Sequence, residues 1–122
     1  MPGRVLVVED EVLIRMLAID MLEDLGFATD EAGKASEALQ MLKAKDADYV
    51  LIFLDIGLPD KRGDDLIKEV RAFNPKIPLL IASGESKADL KARLDRFAPI
   101  DYLAKPYDQG RLSAALAALQ VK

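Results

Sequence analysis

The sequence predicts a doubly wound α/β fold, a five-stranded parallel sheet with each strand followed by a helix. Three observations lead there. Short apolar runs alternate five times with segments of helical periodicity along 122 residues. The runs are continuously apolar rather than alternating, as expected of strands buried on both faces of a parallel sheet. Right-handed crossovers then distribute the helices over both sides.

The elements follow in order. Val5–Val8 is the first strand. Ile14, Leu17, Ala18, Met21, Leu22 and Leu25 recur at steps of three and one, which is one face of a helix, and Gly26 stops it as a C′ glycine. Phe27–Glu31 is a weak second strand. Ala35, Ala38, Leu39 and Leu42 mark the second helix, and Tyr49–Leu54 is the strongest strand. Leu66, Ile67, Val70 and Phe73 mark the third helix, ended by Asn74-Pro75. Pro78–Ser83 is the fourth strand. Leu90, Leu94 and Phe97 mark the fourth helix, and Asp101–Ala104 is the fifth strand. Leu112, Ala115, Leu116 and Leu119 mark the last helix, with Asp108 as its N-cap.

Composition narrows the function. Apolar residues make up 51% and charged residues 31%, the balance of an ordinary globular domain. A net charge of −4 argues against a nucleic-acid-binding surface. No apolar run is long enough to span a membrane, and the acidic end of MPGRVLVVED does not suit a secretory signal. The chain has no cysteine and no histidine. Thiol catalysis, disulfides, Ser-His-Asp chemistry and His- or Cys-bound metals are thereby excluded, and any metal must be held by oxygen, as Mg²⁺ is. Residues 1–122 are expected to be a single domain with no effector attached, and Met1 favours a full-length product.

The strand ends carry the chemistry. Glu9-Asp10-Glu11 closes the first strand, Asp55 the third, Ser83 the fourth and Lys105 the fifth. In open α/β sheets the site lies beyond the carboxyl ends of the strands. Singly, each residue has a plainer reading: Asp10 as a cap or turn residue, Ser83-Gly84 as a turn, Lys105-Pro106 as a solvated loop. Their joint occurrence at four strand ends points to a site. Three carboxylates about 4 Å apart would repel one another by roughly 4 kcal/mol per pair at an effective dielectric of 20. A divalent cation and Lys105 are the available counter-charges. A carboxylate so placed can act as a nucleophile toward phosphorus, with metal and ammonium neutralising the charge and a hydroxyl such as Ser83 binding a phosphoryl oxygen.

The segments VLVVEDE, LDIGLPDKRG, IASGE and DYLAKPY resemble, in order and spacing, the motifs of response-regulator receiver domains of bacterial two-component signalling, the chemotaxis-regulator type among them. The resemblance implies a flavodoxin-like (βα)5 fold with strand order 2-1-3-4-5. It implies that Asp55 is the phosphoacceptor and that Mg²⁺ is held by Asp10, Asp55, the carbonyl of Gly57 and, through a water, Glu9. It makes Lys105 the phosphate-pairing lysine, Ser83 the switch hydroxyl, and Tyr102 the switch aromatic whose ring moves inward on activation. It also implies a cis Lys105-Pro106 bond. Three departures stand out: Glu9 where Asp is frequent, Arg62 before Gly63, and Ala98-Pro99-Ile100 before the fifth strand. Glu85 and Gly57 flank the path of attacking water and should tune the lifetime of the phosphoryl group.

The implied function is a cytoplasmic, Mg²⁺-dependent phosphoacceptor switch with no turnover of a separate substrate. Its partners would be a histidine kinase or histidine phosphotransfer protein and an unknown downstream protein, with no direct contact to nucleic acid or membrane. A phosphorelay shuttle or phosphate sink is one alternative, and a phosphate-independent docking module another. A second apolar stripe on helix one, Val12, Met16 and Ile19, is expected to face the phosphoryl donor, or else to be scattered surface residues. A homodimer stays open. Arg111 and Ala115 do not match the charged pairs through which many DNA-binding relatives dimerise, and the small face of Ala114, Ala117 and Ala118 reads equally as helix propensity.

Overall fold

The computed structural model describes residues 3–44 and 47–121. The chain runs β1 (Arg4–Val8), α1 (Val12–Asp24), β2 (Ala28–Ala32), α2 (Ala35–Lys43), β3 (Tyr49–Asp55), α3 (Gly63–Phe73), β4 (Leu79–Ser83), α4 (Lys87–Leu94), β5 (Ile100–Ala104) and α5 (Gln109–Ala118). The five strands form one sheet in the order β2-β1-β3-β4-β5, and every pairing is parallel. Both the fold class and the strand order match the expectation from sequence.

The apolar strands split their side chains between two cores. Leu6, Val8, Ile52, Leu54, Leu79 and Ile81 face the helices α2, α3 and α4. Val5, Val7, Leu51, Phe53, Leu80 and Ala82 face α1 and α5. This period of two explains why the runs had to be apolar throughout: each successive residue enters a different core. Burying one such Leu, Ile or Val side chain contributes about 1.5–3 kcal/mol. The three central strands therefore form a rigid platform whose carboxyl ends hold still.

Helix boundaries follow local chemistry. Gly26, at φ 98°, ends α1. Its N–H donates to the Glu23 carbonyl and that of Phe27 to the Leu22 carbonyl, a Schellman closure sealed by burial of Leu22 and Phe27 in one core. α5 closes in the same way, with Gln120 N–H on the Ala117 carbonyl and Val121 N–H on that of Leu116. There the left-handed position is Gln120, at φ 61°. Ser86 caps α4 by accepting from the Asp89 N–H, and Asp108 caps α5 by accepting from that of Arg111, as its sequence position suggested. Arg71 ties the end of α3 to the approach of β5 by donating to the Phe97, Asn74 and Pro99 carbonyls.

Two expectations need correction. The core face of α1 is rotated from the one the periodicity indicated. Leu17 is exposed, whereas Ile19 packs against the inner core. This helix is apolar on nearly all sides, so its period could not define the inward direction. The exposed apolar residues are Val12, Leu13, Met16 and Leu17. The fourth helix stops at Leu94, and Phe97 lies on a 3-10 turn, Asp95–Phe97, before a cis Ala98-Pro99 bond. Phe97 still packs against the core, so its apolar signal was real although its helix was not. The Lys105-Pro106 bond is also cis, as the resemblance implied.

The loop between β3 and α3 is held at both ends. Gly63 N–H donates to the Ile56 carbonyl at 3.0 Å, and a Cβ on Gly63 would stand 2.8 Å from the Ile56 Cα. Only glycine permits that approach. Asp60, midway along the loop, accepts from the N–H groups of Ala35 and Ser36 at 2.8 and 3.0 Å and so caps α2 from outside it. These bonds hold the Asp60 carboxyl below the usual range, the Ala35 N–H foremost. They also explain why α2 can begin at Lys34, whose own side chain caps nothing.

These two backbone positions generate opposite predictions. Gly63→Ala drives a methyl group into backbone and is expected to lower unfolding stability by about 2 kcal/mol in a urea titration. Gln120→Gly relieves the left-handed position and is expected to raise stability by about 0.5–1 kcal/mol, seen as a melting temperature higher by roughly 2–5 °C.

Candidate functional site

The ends of β1, β3 and β5 bring Glu9, Asp55 and Lys105 together, with Ser83 at the end of β4 next to Lys105. Asp55 is the last residue of β3 and pairs in register with Ala82 of β4. Ser83 ends β4 opposite Ala104 of β5. The Lys105 N–H donates to the Ser83 carbonyl at 2.9 Å, so the strand pairing carries one residue past β5 and fixes the root of the lysine. Glu9 is fixed on the other side, its N–H donating to the Ala32 carbonyl and its own carbonyl accepting from Arg15 Nη1 at 2.8 Å.

Lys105 joins the two inner carboxylates. Its Nζ lies 3.0 Å from Asp55 Oδ1 and 3.4 Å from Glu9 Oε1. Burial works against the ammonium, but the Asp55 hydrogen bond and the two negative charges outweigh it and hold the lysine above its ordinary pKa. Glu9 is the reverse case. Its side chain is only 6% exposed, and burial pushes its pKa up to about 7. The Glu11 N–H, at 3.1 Å from Glu9 Oε2, and Lys105 pull it back, while Asp55 pushes it higher.

Glu9, Asp10 and Asp55 each offer a carboxylate oxygen, all within 4.8 Å of one another. Three ionised carboxylates against one ammonium leave two negative charges unanswered. The donor set is oxygen only, and the chain has no histidine or cysteine. Its charge and hardness fit a divalent cation such as Mg²⁺. Gly57 lies beside the group, since a Cβ there would stand 4.0 Å from Asp55 Oδ2 and touch nothing else within that range.

Ser83 is 2% exposed, and its Oγ accepts from the Glu85 N–H at 3.0 Å. That bond uses an oxygen lone pair and leaves the hydroxyl proton free to donate. Tyr102 is placed differently from the outward ring that precedes activation in the switch scheme. Its ring is 6% exposed and joins the core that α4 covers, and its hydroxyl donates to Asp95 Oδ1 at 2.6 Å. Burial, then the Asp95 bond, raise the phenol's pKa.

Several residues of the site carry no signal in the sequence. Arg15 reaches the Glu9 carbonyl from α1, Asp60 anchors the loop after Asp55, and Asp95 holds Tyr102. Arg93 of α4 binds both Asp64 and Glu85. The Asp60 and Arg93–Asp64 contacts join elements 25 and 29 positions apart, and the others cross from one element to the next over six to eight positions.

Comparison with known proteins agrees with this geometry. A family model described as the response regulator receiver domain matches residues 5–117. The chain is 36% identical over 116 residues to the transcriptional regulatory protein PmrA of Pectobacterium parmentieri, covering 95% of this chain and 51% of that protein. It is 40% identical over 115 residues to the KDP operon transcriptional regulatory protein KdpE of Escherichia coli K12, covering 92% and 48%. It thus spans about half the length of these relatives. Among solved structures it resembles the chemotaxis response regulator CheY4 of Vibrio cholerae, with a TM-score of 0.87 at 26% identity over 98% of this chain and 99% of that one. A CheY-like receiver domain from Methylobacillus flagellatus superposes with a TM-score of 0.84 at 29% identity, covering 98% and 99%. The sheet order, the acidic cluster beneath a strand-end lysine and the match along nearly the whole chain lead to one assignment: this chain belongs to the response-regulator receiver domains.

Proposed function

We propose that this receiver is a phosphoacceptor switch in which Asp55 takes a phosphoryl group from a histidine of a kinase or phosphotransfer protein. The observation that carries the reading is the triad of Lys105, Asp55 and Glu9, with Asp10 completing a cluster of three acids. Glu9, Asp10, Asp55 and the Gly57 carbonyl are the groups that would hold Mg²⁺. Bound there, Mg²⁺ supplies neutralisation of the charge on the phosphoryl oxygens.

The remaining steps belong to the chain's own residues. An Asp55 oxygen bonds to phosphorus as the bond from phosphorus to the donor imidazole breaks, and the electron pair leaves with the imidazole. The strand end holds Asp55 still, so little reorganisation is needed at the moment of transfer. Lys105 pairs with Asp55 beforehand and with a phosphoryl oxygen afterwards. Ser83, held by the Glu85 N–H, donates its free hydroxyl proton to another phosphoryl oxygen. Hydrolysis later restores Asp55. The chain turns over no separate substrate, and in this reading it works in the cytoplasm on protein partners rather than directly on nucleic acid or membrane.

The exposed apolar residues of α1, Val12, Leu13, Met16 and Leu17, are assigned to the donor contact. They replace the stripe expected from sequence, which included Ile19. Clustered exposure of this kind marks a contact surface better than scattered apolar residues do.

A second reading is favoured by Tyr102. Its ring is already inside and latched to Asp95, so inward swinging of the ring has little left to do. That suits a phosphorelay shuttle or phosphate sink, which needs transfer but little change of surface.

Intact-mass analysis after incubation with acetyl phosphate and Mg²⁺ tests the central reading. Wild type is expected to gain one phosphoryl group. Asp55→Asn and a chelated control are expected to gain none. An unlabelled wild type, or label that survives Asp55→Asn, overturns the assignment.

A further inference from the structure

An ion-pair fork beside Asp55 has no part in the transfer chemistry above. Arg93, in the last turn of α4, divides its guanidinium between two carboxylates. Nε and Nη2 donate to Asp64 Oδ2 and Oδ1 at 2.7 and 3.3 Å. Nη1 and Nη2 donate to Glu85 Oε1 and Oε2 at 2.8 and 3.3 Å. Both Glu85 oxygens are therefore engaged. Such a planar fork sets geometry more than it adds stability, since the Arg93 and Glu85 side chains are 35% and 42% exposed. Arg93 also holds the Glu85 carboxyl below its usual range, which makes it a poorer proton acceptor.

The fork borders a cavity beside Gly57, two residues after Asp55. Glu85, Arg93 and Asp64 line a cavity of about 310 Å³ together with Ile56 and Gly57. Gly57 puts no side chain on its wall of the cavity, where a Cβ would stand 4.0 Å from Asp55 Oδ2. The opposite wall is the loop after β4, whose Glu85 N–H binds Ser83 Oγ. Water in this cavity lies between Gly57, two residues after Asp55, and the pinned carboxylate.

We propose that Arg93 is a positioning residue that withholds Glu85 from water in this cavity and so prolongs the life of the phosphoryl group. The proposal rests on the phosphoacceptor reading of Asp55. In hydrolysis the water oxygen bonds to phosphorus while the bond from phosphorus to the Asp55 oxygen breaks. The electron pair returns to the Asp55 carboxylate, a water proton passes to a base, and inorganic phosphate leaves. A carboxylate with a free oxygen facing the cavity orients that water and accepts its proton. While Arg93 holds both oxygens, the Glu85 carboxylate is tied to the guanidinium and is a weaker proton acceptor.

The test uses the full chain, labelled with acetyl phosphate and Mg²⁺ and then freed of the donor, with loss of label followed by intact mass. Arg93→Met is expected to shorten the half-life on the order of tenfold. Arg93→Lys, which keeps the charge without the fork, is expected to fall between Arg93→Met and wild type. Glu85→Ala is expected not to shorten the half-life, and the double variant is expected to match Glu85→Ala. An unchanged half-life in labelled Arg93→Met overturns the proposal, as does an acceleration that persists without Glu85, which would mean simple loosening. Either result leaves the phosphoacceptor reading standing. A wild-type chain that takes no label overturns that reading, and the proposal with it.

Discussion

Lys105 lies within 3.0 Å of Asp55 and 3.4 Å of Glu9, and the rest of the site is arranged around that pair of contacts. Two carboxylates from different strands are brought together where little water reaches them. Removing a single carboxylate from water without a partner costs several kcal/mol, and two of like sign repel as well. One ammonium offsets part of that cost and leaves an excess of negative charge. Burial, with a smaller push from the Asp55 charge, raises Glu9 to about 7. A site in this state is suited to a divalent cation.

The fold makes this arrangement tolerable. β1 and β3 are neighbours in the sheet, and β5 follows β4 on the far side, so Glu9, Asp55 and Lys105 approach from separate strand ends. The strands are buried on both faces and locked by paired backbone bonds, which denies the carboxylates the small retreats that would relieve their repulsion. The loop after Asp55 is likewise restrained. Gly63 closes it against Ile56, and Asp60 spends its charge on the first amides of α2. A helix end without a capping side chain of its own thus becomes an anchor for the loop beside Asp55.

The parts legible in the sequence are those set by local rules. Gly26 ends α1 because a left-handed residue was needed there, and Asp108 begins α5 because the first amides needed an acceptor. Asp55, Ser83 and Lys105 were visible because each follows a run that could only be a strand. Leu17 and Ile19 were misplaced because α1 is apolar around most of its circumference, so only its neighbours determine its rotation. Asp60, Arg71 and Arg93 were silent for a related reason. Their partners lie 24 to 29 positions away, apart from the nearer Asn74 and Glu85, and nothing in composition or period announces such a meeting. Gln120 was silent because its left-handed geometry is a position where glycine is the usual marker, and the marker is missing.

Helix α4 is where the site meets the surface. Its Arg93 reaches back to Glu85 in the loop that also binds Ser83, and Asp95, just past its end, holds the hydroxyl of Tyr102. The helix itself is short, with Leu90 and Leu94 as its buried residues. Beside that apolar anchorage its position is set by polar ties, which depend on direction and break over small displacements. A shift of α4 would strain the Arg93 fork and the Asp95 latch together. Ser83, Glu85 and Tyr102 are thus linked through one short helix.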